Sequence, residues 1–221
     1  MKEILNRPFQ TEQIVRAYKR VSGWYDLWAF LTESKASKKA IEWAEIEDGM
    51  SVLEVACGTG LVFAELVKRN PHGENVGIDL SPDMLQKAKG RLADMPSNCY
   101  ELKLGDAFNL DFENDHFDLL VNNFMIDLLP VESFDRVLSE FSRVIKPGGR
   151  MIISTFSFGQ KPVHRFWWWV AKNFPDLLTG CRPVLLDKYL LKQGLEIEAS
   201  VEISQNTFPS RIIKARKPNL K

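Results

Sequence analysis

Residues 51–60 read Ser-Val-Leu-Glu-Val-Ala-Cys-Gly-Thr-Gly, a short apolar run that ends in glycines. A run of this length bounded by glycine is a buried strand feeding a tight turn. The pattern then repeats. Residues 59–70 read as a helix closed by Asn70-Pro71, and residues 75–79 as a second strand. Ser81-Pro82 supplies an N-cap followed by proline at the first helical position, with Leu85, Ala88 and Leu92 along one face. Residues 100–104 and 117–122 are expected as the third and fourth strands. Phe134, Val137, Leu138, Phe141, Val144 and Ile145 follow the i, i+3, i+4, i+7 rule, Pro147-Gly148-Gly149 stops that helix, and residues 150–155 form a fifth strand. Strands alternating with helices imply right-handed crossovers and a mainly parallel sheet covered on both faces.

The flanks read differently. The first 48 residues are helical in pattern: Ile14, Tyr18, Val21, Tyr25 and Trp28 form one stripe, broken near Ser22-Gly23. Ser34 is expected to cap a second helix that ends near Asp48-Gly49. The predicted division is therefore a helical cap over 1–48 and a main domain over 49–221. After a helix at 184–193, strands near 195–203 and 207–215 lie too close for a crossover and are expected to pair as an antiparallel hairpin.

The chain has 221 residues, 45% hydrophobic and 26% charged, enough for a sizeable core. Lys+Arg and Asp+Glu both count 29, so no global charge draws it to nucleic acid. Cys57, Cys99 and Cys181 lie far apart without a CxxC, which argues against a disulfide framework or a metal site and for a reducing cytoplasm. No run approaches the 18 or so apolar residues of a membrane span, and the start lacks the apolar stretch of a secretory signal.

The glycine loop is not a phosphate loop. A dinucleotide fingerprint needs a third small residue where Phe63 stands, and GK[ST] is absent. Glu54, four positions before Gly58, has the wrong charge for a pyrophosphate and the right one for an ammonium group. Asp79, 19 residues after Gly60, is placed to accept from both ribose hydroxyls, with Leu80 and Met84 flanking an adenine ring. Asp106 follows the third strand in Gly105-Asp106-Ala107, where a carboxylate accepts from the adenine amine. Acids at three successive strand ends describe an amine, a ribose and an adenine without phosphate. S-adenosylmethionine fits, whereas NAD and ATP do not.

With VLEVACGTG at 52–60, GIDLS at 77–81, GDA at 105–107, FDLLVNNFM at 117–125 and IKPGGRMII at 145–153, the chain resembles the class I S-adenosylmethionine-dependent methyltransferases. Within them it looks most like the ubiquinone/menaquinone-biosynthesis C-methyltransferase group, which also carries a Tyr-Asp pair in a helical N-terminal segment, here Tyr25-Asp26. The resemblance implies an α/β, Rossmann-like, seven-stranded, mainly parallel sheet with an antiparallel last strand. It places Glu54 and the loop Ala56, Gly58, Thr59 and Gly60 on the methionine portion, Asp79 on the ribose, and Asp106 and Ala107 on the adenine. Asn122 and Asn123 fall where the fourth strand opens onto the sulfonium. Tyr18 and Tyr25 are candidates to cover the cofactor.

Methyl transfer from a sulfonium asks the protein mainly for position and dryness. If a base is needed, His164 is the candidate, because it follows the fifth strand on the side where substrates enter. Phe166-Trp167-Trp168-Trp169 reads as a lid helix, as an aromatic wall for a hydrophobic acceptor, or as a peripheral membrane contact through Trp167, Trp168 and Trp169. The expected function is methylation of a small, hydrophobic, lipid- or quinone-like acceptor by a cytoplasmic enzyme. The alternatives are a nucleic-acid methyltransferase, which the missing Pro-Pro-Tyr after Asn123 argues against, and a non-catalytic binding module.

Overall fold

A computed structural model describes residues 4–5, 25–178 and 180–219. Helices α1 (Tyr25–Thr32) and α2 (Ser34–Ala44) lead into strand β1 (Ser51–Val55). Then follow α3 (Leu61–Arg69), β2 (Glu74–Asp79), α4 (Pro82–Arg91), β3 (Glu101–Leu104) and β4 (Phe117–Asn123). Two short 3-10 turns precede α5 (Phe134–Val144), β5 (Ile145–Phe156), α6 (His164–Asn173), α7 (Asp187–Lys192), β6 (Glu196–Gln205) and β7 (Phe208–Arg216).

The sheet has seven strands in the order β3-β2-β1-β4-β5-β7-β6. Strands β1 to β5 pair in parallel, and β7 runs antiparallel to both β5 and β6. The expected sheet and hairpin are therefore present. The hairpin turns on Asn206 and Thr207, both left-handed (φ 48° and 68°), the backbone of a primed two-residue turn without its usual glycine. Strand order reverses between β1 and β4, and in open α/β sheets ligands bind outside the carboxyl ends of the strands at that reversal.

One apolar layer packs α5 and α7 under the sheet through Phe134, Val137, Leu138, Phe141, Val144 and Leu190, all buried. The other face is covered by α2, α3, α4 and α6, with Ala36, Ala40 and Ala44 allowing α2 to lie close to the strands. Ser81 caps α4 as expected, its Oγ accepting from Met84 N–H with Pro82 next in line. Gly60 starts α3 with φ 77°, and a Cβ there would meet Ala88 at 3.1 Å.

Some boundaries differ from the sequence reading. Glu33, not Ser34, precedes α2, and the Ser34 hydroxyl bonds Gln205 on β6 instead. α2 stops at Ala44, because Glu45 turns left-handed (φ 45°) and its N–H bonds Glu42 O. α3 begins at Leu61, two residues later than expected, since Thr59 and Gly60 belong to the turn. α5 ends at Val144, before the proline, and β5 already begins at Ile145. α7 is shorter than 184–193, with Val184 and Leu186 buried outside it. The stripe residues Ile14, Tyr18 and Val21 and the break at Ser22-Gly23 lie outside the described residues.

Candidate functional site

The turn after β1 is built by backbone bonds. Cys57 N–H donates to Ile78 O, and Gly60 N–H to Cys57 O. Ala56 (φ 59°) and Gly58 (φ 55°) are both left-handed, a strained arrangement for alanine that bends the loop over the strand end. Asp79 at the end of β2 fastens it: Gly58 N–H donates to one carboxylate oxygen (2.8 Å) and Ser81 N–H to the other (2.9 Å). Burial nevertheless raises the Asp79 pKa, opposed by these N–H groups.

Two cavities open beside this loop. The larger, about 830 Å³, is lined by Val55, Ala56 and Gly58, by Asp79, Leu80, Ser81 and Met84, by Gly105 to Phe108, and by Asn123, Phe124, Met125, Leu128 and Leu129. Its lining is mainly apolar, with carboxylates from Asp79 and Asp106. One Asp106 oxygen accepts from Phe108 N–H (2.9 Å), which fixes the side chain.

The smaller cavity, about 400 Å³, shares Ala56, Gly58, Asn123 and Phe124 with the larger. Its other walls are Ala29, Glu33 and Ser37 from the N-terminal helices, and Glu54, Cys57, Thr59, Leu61 and Val62. Glu54 is 2% exposed. Its Oε1 takes one long bond from Asn123 Nδ2 (3.3 Å), and its Oε2 is buried without a partner. Burial raises the Glu54 pKa well above the usual carboxylate range, opposed by the Asn123 bond, with Asp79 adding to the rise. An unmet buried carboxyl oxygen costs free energy that a donor or cation in the cavity removes.

The predicted residues are thus divided between two compartments. Asp79, Leu80, Met84, Asp106 and Ala107 line the larger, Glu54 and Thr59 the smaller, and Ala56, Gly58 and Asn123 both. Gly60 lines neither; it packs on Ala88 and starts α3. Asn122 does not open onto either cavity. It is fully buried and donates to Val55 O (2.9 Å), because alternate residues of a strand point to opposite sides. Tyr18 lies outside the described residues, as does the side chain of Tyr25.

His164 also lines neither cavity. It begins α6, its Nδ1 accepts from Gln160 and Lys161 N–H (3.0 and 3.2 Å), and its Nε2 meets Ser204 Oγ (3.1 Å). Burial lowers its pKa, opposed by Glu202. One ring nitrogen holds the 160–161 turn and the other ties α6 to β6. The tryptophan tract likewise lies away from the cavities. Trp167 packs edge-on against Trp28 (6.1 Å) and Phe208 (5.3 Å) and bonds Thr207. Phe166 and Trp169 point outward, 54% and 48% exposed.

Sequence reasoning missed several residues. Asp26 ties α1 to the loop by accepting from Thr59 Oγ1 (2.7 Å) and pairing with Arg91 (2.5 Å). Glu33 is 7% exposed although its surroundings, Thr-Glu-Ser-Lys, read as a solvated helix start. Asp127 is fully buried, one oxygen accepting from Phe156 N–H (2.7 Å), and burial pushes its pKa up to about 7 against the N–H bond and Arg182. The Arg182 guanidinium donates to Asp127 O (3.0 Å) and to Leu129 O. Only Tyr25-Asp26 carried a signal, as a pair shared with a family; nothing local marks Glu33.

A family model described as a methyltransferase domain matches residues 46–180. A demethylmenaquinone methyltransferase of Staphylococcus saprophyticus subsp. saprophyticus is 31% identical over 159 residues, covering 70% of this chain and 66% of that one. Another from Symbiobacterium thermophilum is 32% identical over 166 residues, covering 72% and 64%. The chain thus spans less than two thirds of either relative. Among solved structures, the [4+2]-cyclase SpnF superposes with a TM-score of 0.80 over all of both chains at 17% identity. A geranyl diphosphate methyltransferase in complex with GPP and sinefungin gives 0.66 over 84% of this chain and 77% of that one, at 15%. At these identities the structural likeness establishes the fold.

Proposed function

The chain belongs to the methyltransferase-domain family, whose cofactor is S-adenosylmethionine, and from that premise we propose that it methylates a small, hydrophobic, quinone- or lipid-like acceptor. The observation that carries the cofactor assignment is the unpartnered, buried Oε2 of Glu54, a lining residue of the cavity that shares a wall with that of Asp79 and Asp106. The donor set suits the ligand. Asp79 has both oxygens held by N–H groups and lone pairs left for ribose hydroxyls; Asp106 faces the adenine side; Glu54 meets the ammonium. Leu80, Met84 and Phe108 form the apolar bed for the base. When bound, the cofactor supplies an electrophilic methyl group on a positive sulfur.

The protein's own contribution is alignment and water exclusion. Asn123 and Phe124, common to both cavities, set the position at which nucleoside and amino-acid ends join. Phe124, Met125, Leu128 and Leu129 give the larger cavity an apolar wall that suits a ring or chain better than a polar acceptor. The two relatives bear names of demethylmenaquinone methyltransferases, which supports a quinone-like acceptor for this chain. His164 receives no role in proton transfer, its ring being committed to Ser204 and the 160–161 turn.

Peripheral contact with lipid is part of the same reading. Leu27 and Phe30 on α1 and Phe166 and Trp169 on α6 are exposed, the two helices meet through Trp28 and Trp167, and Arg165 and Lys172 flank the rings. Among the described residues no helix is long and apolar enough to cross a membrane. The decisive experiment is calorimetric titration with S-adenosylhomocysteine, followed by transfer of labelled methyl to demethylated naphthoquinones carrying short isoprenoid tails. Micromolar binding and labelled quinone are expected. Absence of binding overturns the cofactor assignment, and binding without labelled quinone overturns the acceptor.

A further inference from the structure

Beyond Asn123, whose ladder partner is Ser154 on β5, the chain leaves the sheet. Phe124 turns left-handed (φ 51°), a strained conformation for an aromatic residue, and its N–H donates to Ser154 O (2.8 Å). Residues 126–128 then form a single 3-10 turn. Phe124, Met125, Leu128 and Leu129 of this segment make the apolar wall of the larger cavity. Two local bonds close the turn, Leu128 N–H to Met125 O (3.0 Å) and Leu129 N–H to Ile126 O (3.1 Å). The carbonyls of Asp127 and Leu129 are met from elsewhere in the chain.

Arg182, in the irregular stretch between α6 and α7, meets both. It is 1% exposed, and it lies 55 and 53 residues along the chain from those carbonyls. Its backbone N–H (3.2 Å) and its Nη1 (3.0 Å) donate to Asp127 O, and its Nη2 donates to Leu129 O. The Asp127 carboxylate accepts from Phe156 N–H (2.7 Å), and Phe156 O accepts from Val184 N–H (3.2 Å). The wall, the end of β5 and residues 182–184 thus close a buried ring of hydrogen bonds. Burying a guanidinium is costly, and an apolar side chain of similar size would fill the space without that cost. What the guanidinium adds is a rigid fork that fixes two carbonyls at a set spacing. Arg182 itself lines neither cavity.

We propose that Arg182 is a positioning residue for the acceptor: by gripping the carbonyls of Asp127 and Leu129 it sets where Leu128 and Leu129 stand, and so selects which apolar acceptors the larger cavity admits. The inference rests on the reading of that wall as the acceptor side and adds the residue that gives the wall its shape. Asp79 and Asp106 follow other strands, so the cofactor end is independent of the grip.

The test sets Arg182→Lys and Arg182→Met beside Arg143→Met, each in the whole chain. Arg143 also donates to two carbonyls, Leu110 O and Phe112 O (both 2.7 Å), in a segment that lines neither cavity, and so controls for lost stability. Three quantities are read: S-adenosylhomocysteine affinity, methylation of demethylated naphthoquinones with tails of different length, and amide exchange over residues 124–129. Arg182→Lys keeps the charge and loses the fork; its acceptor KM should rise about 10-fold, with kcat and S-adenosylhomocysteine affinity within about threefold of the parent. Its preference among tail lengths should weaken, and the Leu128 and Leu129 amides should exchange about 10-fold faster. Arg182→Met should go further in the same direction, and Arg143→Met should leave all three readings near the parent. Parental KM and exchange in Arg182→Lys overturn the proposal, as does an equal rise in KM in Arg143→Met or an equal loss of cofactor affinity in Arg182→Lys. If the parent methylates no quinone, the acceptor proposed above falls. Faster exchange confined to 124–129 in Arg182→Lys then upholds the positioning role for another acceptor, and unchanged exchange removes it.

Discussion

The two cavities share a wall, yet their acids are held in opposite ways. In the larger, the Asp79 carboxylate is met by Gly58 and Ser81 N–H, so its position is set before a ligand arrives. In the smaller, Glu54 has one long bond and one oxygen with none, and Glu33 is buried near the Asp127 carboxylate. The first arrangement is preorganised: backbone N–H groups fix the carboxylate and offset part of its burial cost, so that it orients a neutral sugar. The second leaves buried acids whose charged form is disfavoured until a proton, a donor or a cation offsets it. A site for a nucleoside joined to a charged amino acid needs both, one end for geometry and the other for charge.

That division is open to attack at both ends. Asp79→Ala removes the proposed ribose acceptor and the anchor of Gly58 together, so affinity for S-adenosylhomocysteine and for 5′-methylthioadenosine, which has the same nucleoside and no amino acid, should each fall about 100-fold by calorimetry. A loss confined to the first ligand would break the division. Glu54→Gln should weaken S-adenosylhomocysteine about 10-fold and leave 5′-methylthioadenosine unchanged; a loss shared by both ligands would place Glu54 on the nucleoside instead.

Burial of acids beside the smaller cavity should also appear in stability. Glu33 and Asp127 have folded-state values of about 8 and about 7, raised above the unfolded ones, so the folded chain holds more protons. Their contribution is complete below about pH 4 and is lost as pH rises through 7 and 8, at no more than about 1.4 kcal/mol per group per pH unit. Urea unfolding of the unliganded protein should therefore show lower stability at pH 8 than at pH 6 from these groups, and Glu33→Gln should flatten the trend. A slope unchanged in that variant would show Glu33 to be ionised already. The smallest effect is expected outside both cavities. His164→Asn should lower stability by about 1 kcal/mol through the lost turn bonds and leave S-adenosylhomocysteine affinity within about twofold. A large loss of affinity would bring α6 into the site after all.

Much of the lining of the larger cavity was legible in the residues alone. Apolar runs ending in glycine fix where β1 stops, and each acid there sits within a few residues of its strand end. Local geometry therefore carries Asp79 and Asp106 to the crevice with little help from the rest of the chain. Ser81-Pro82 marked a helix start for the same reason. Asn122 and Asn123 could have been separated by strand alternation, which sends neighbours to opposite sides. The His164 reading failed to account for the short loop after β5, whose backbone N–H groups claim the ring.

The sequence by itself determined the strand-helix alternation, the glycine loop and the order of the acids along the chain, because these follow from periodicity and turn chemistry over a few residues. Only the tertiary structure decided that Glu33 is buried, that Asp26 clamps the loop and that the site is two compartments rather than one. Burial of a charge depends on what packs over it. The alanine face of α2 packs against strands far along the chain, β5 and β7, and Glu33 at its start is buried near Asp127; no local pattern encodes that approach.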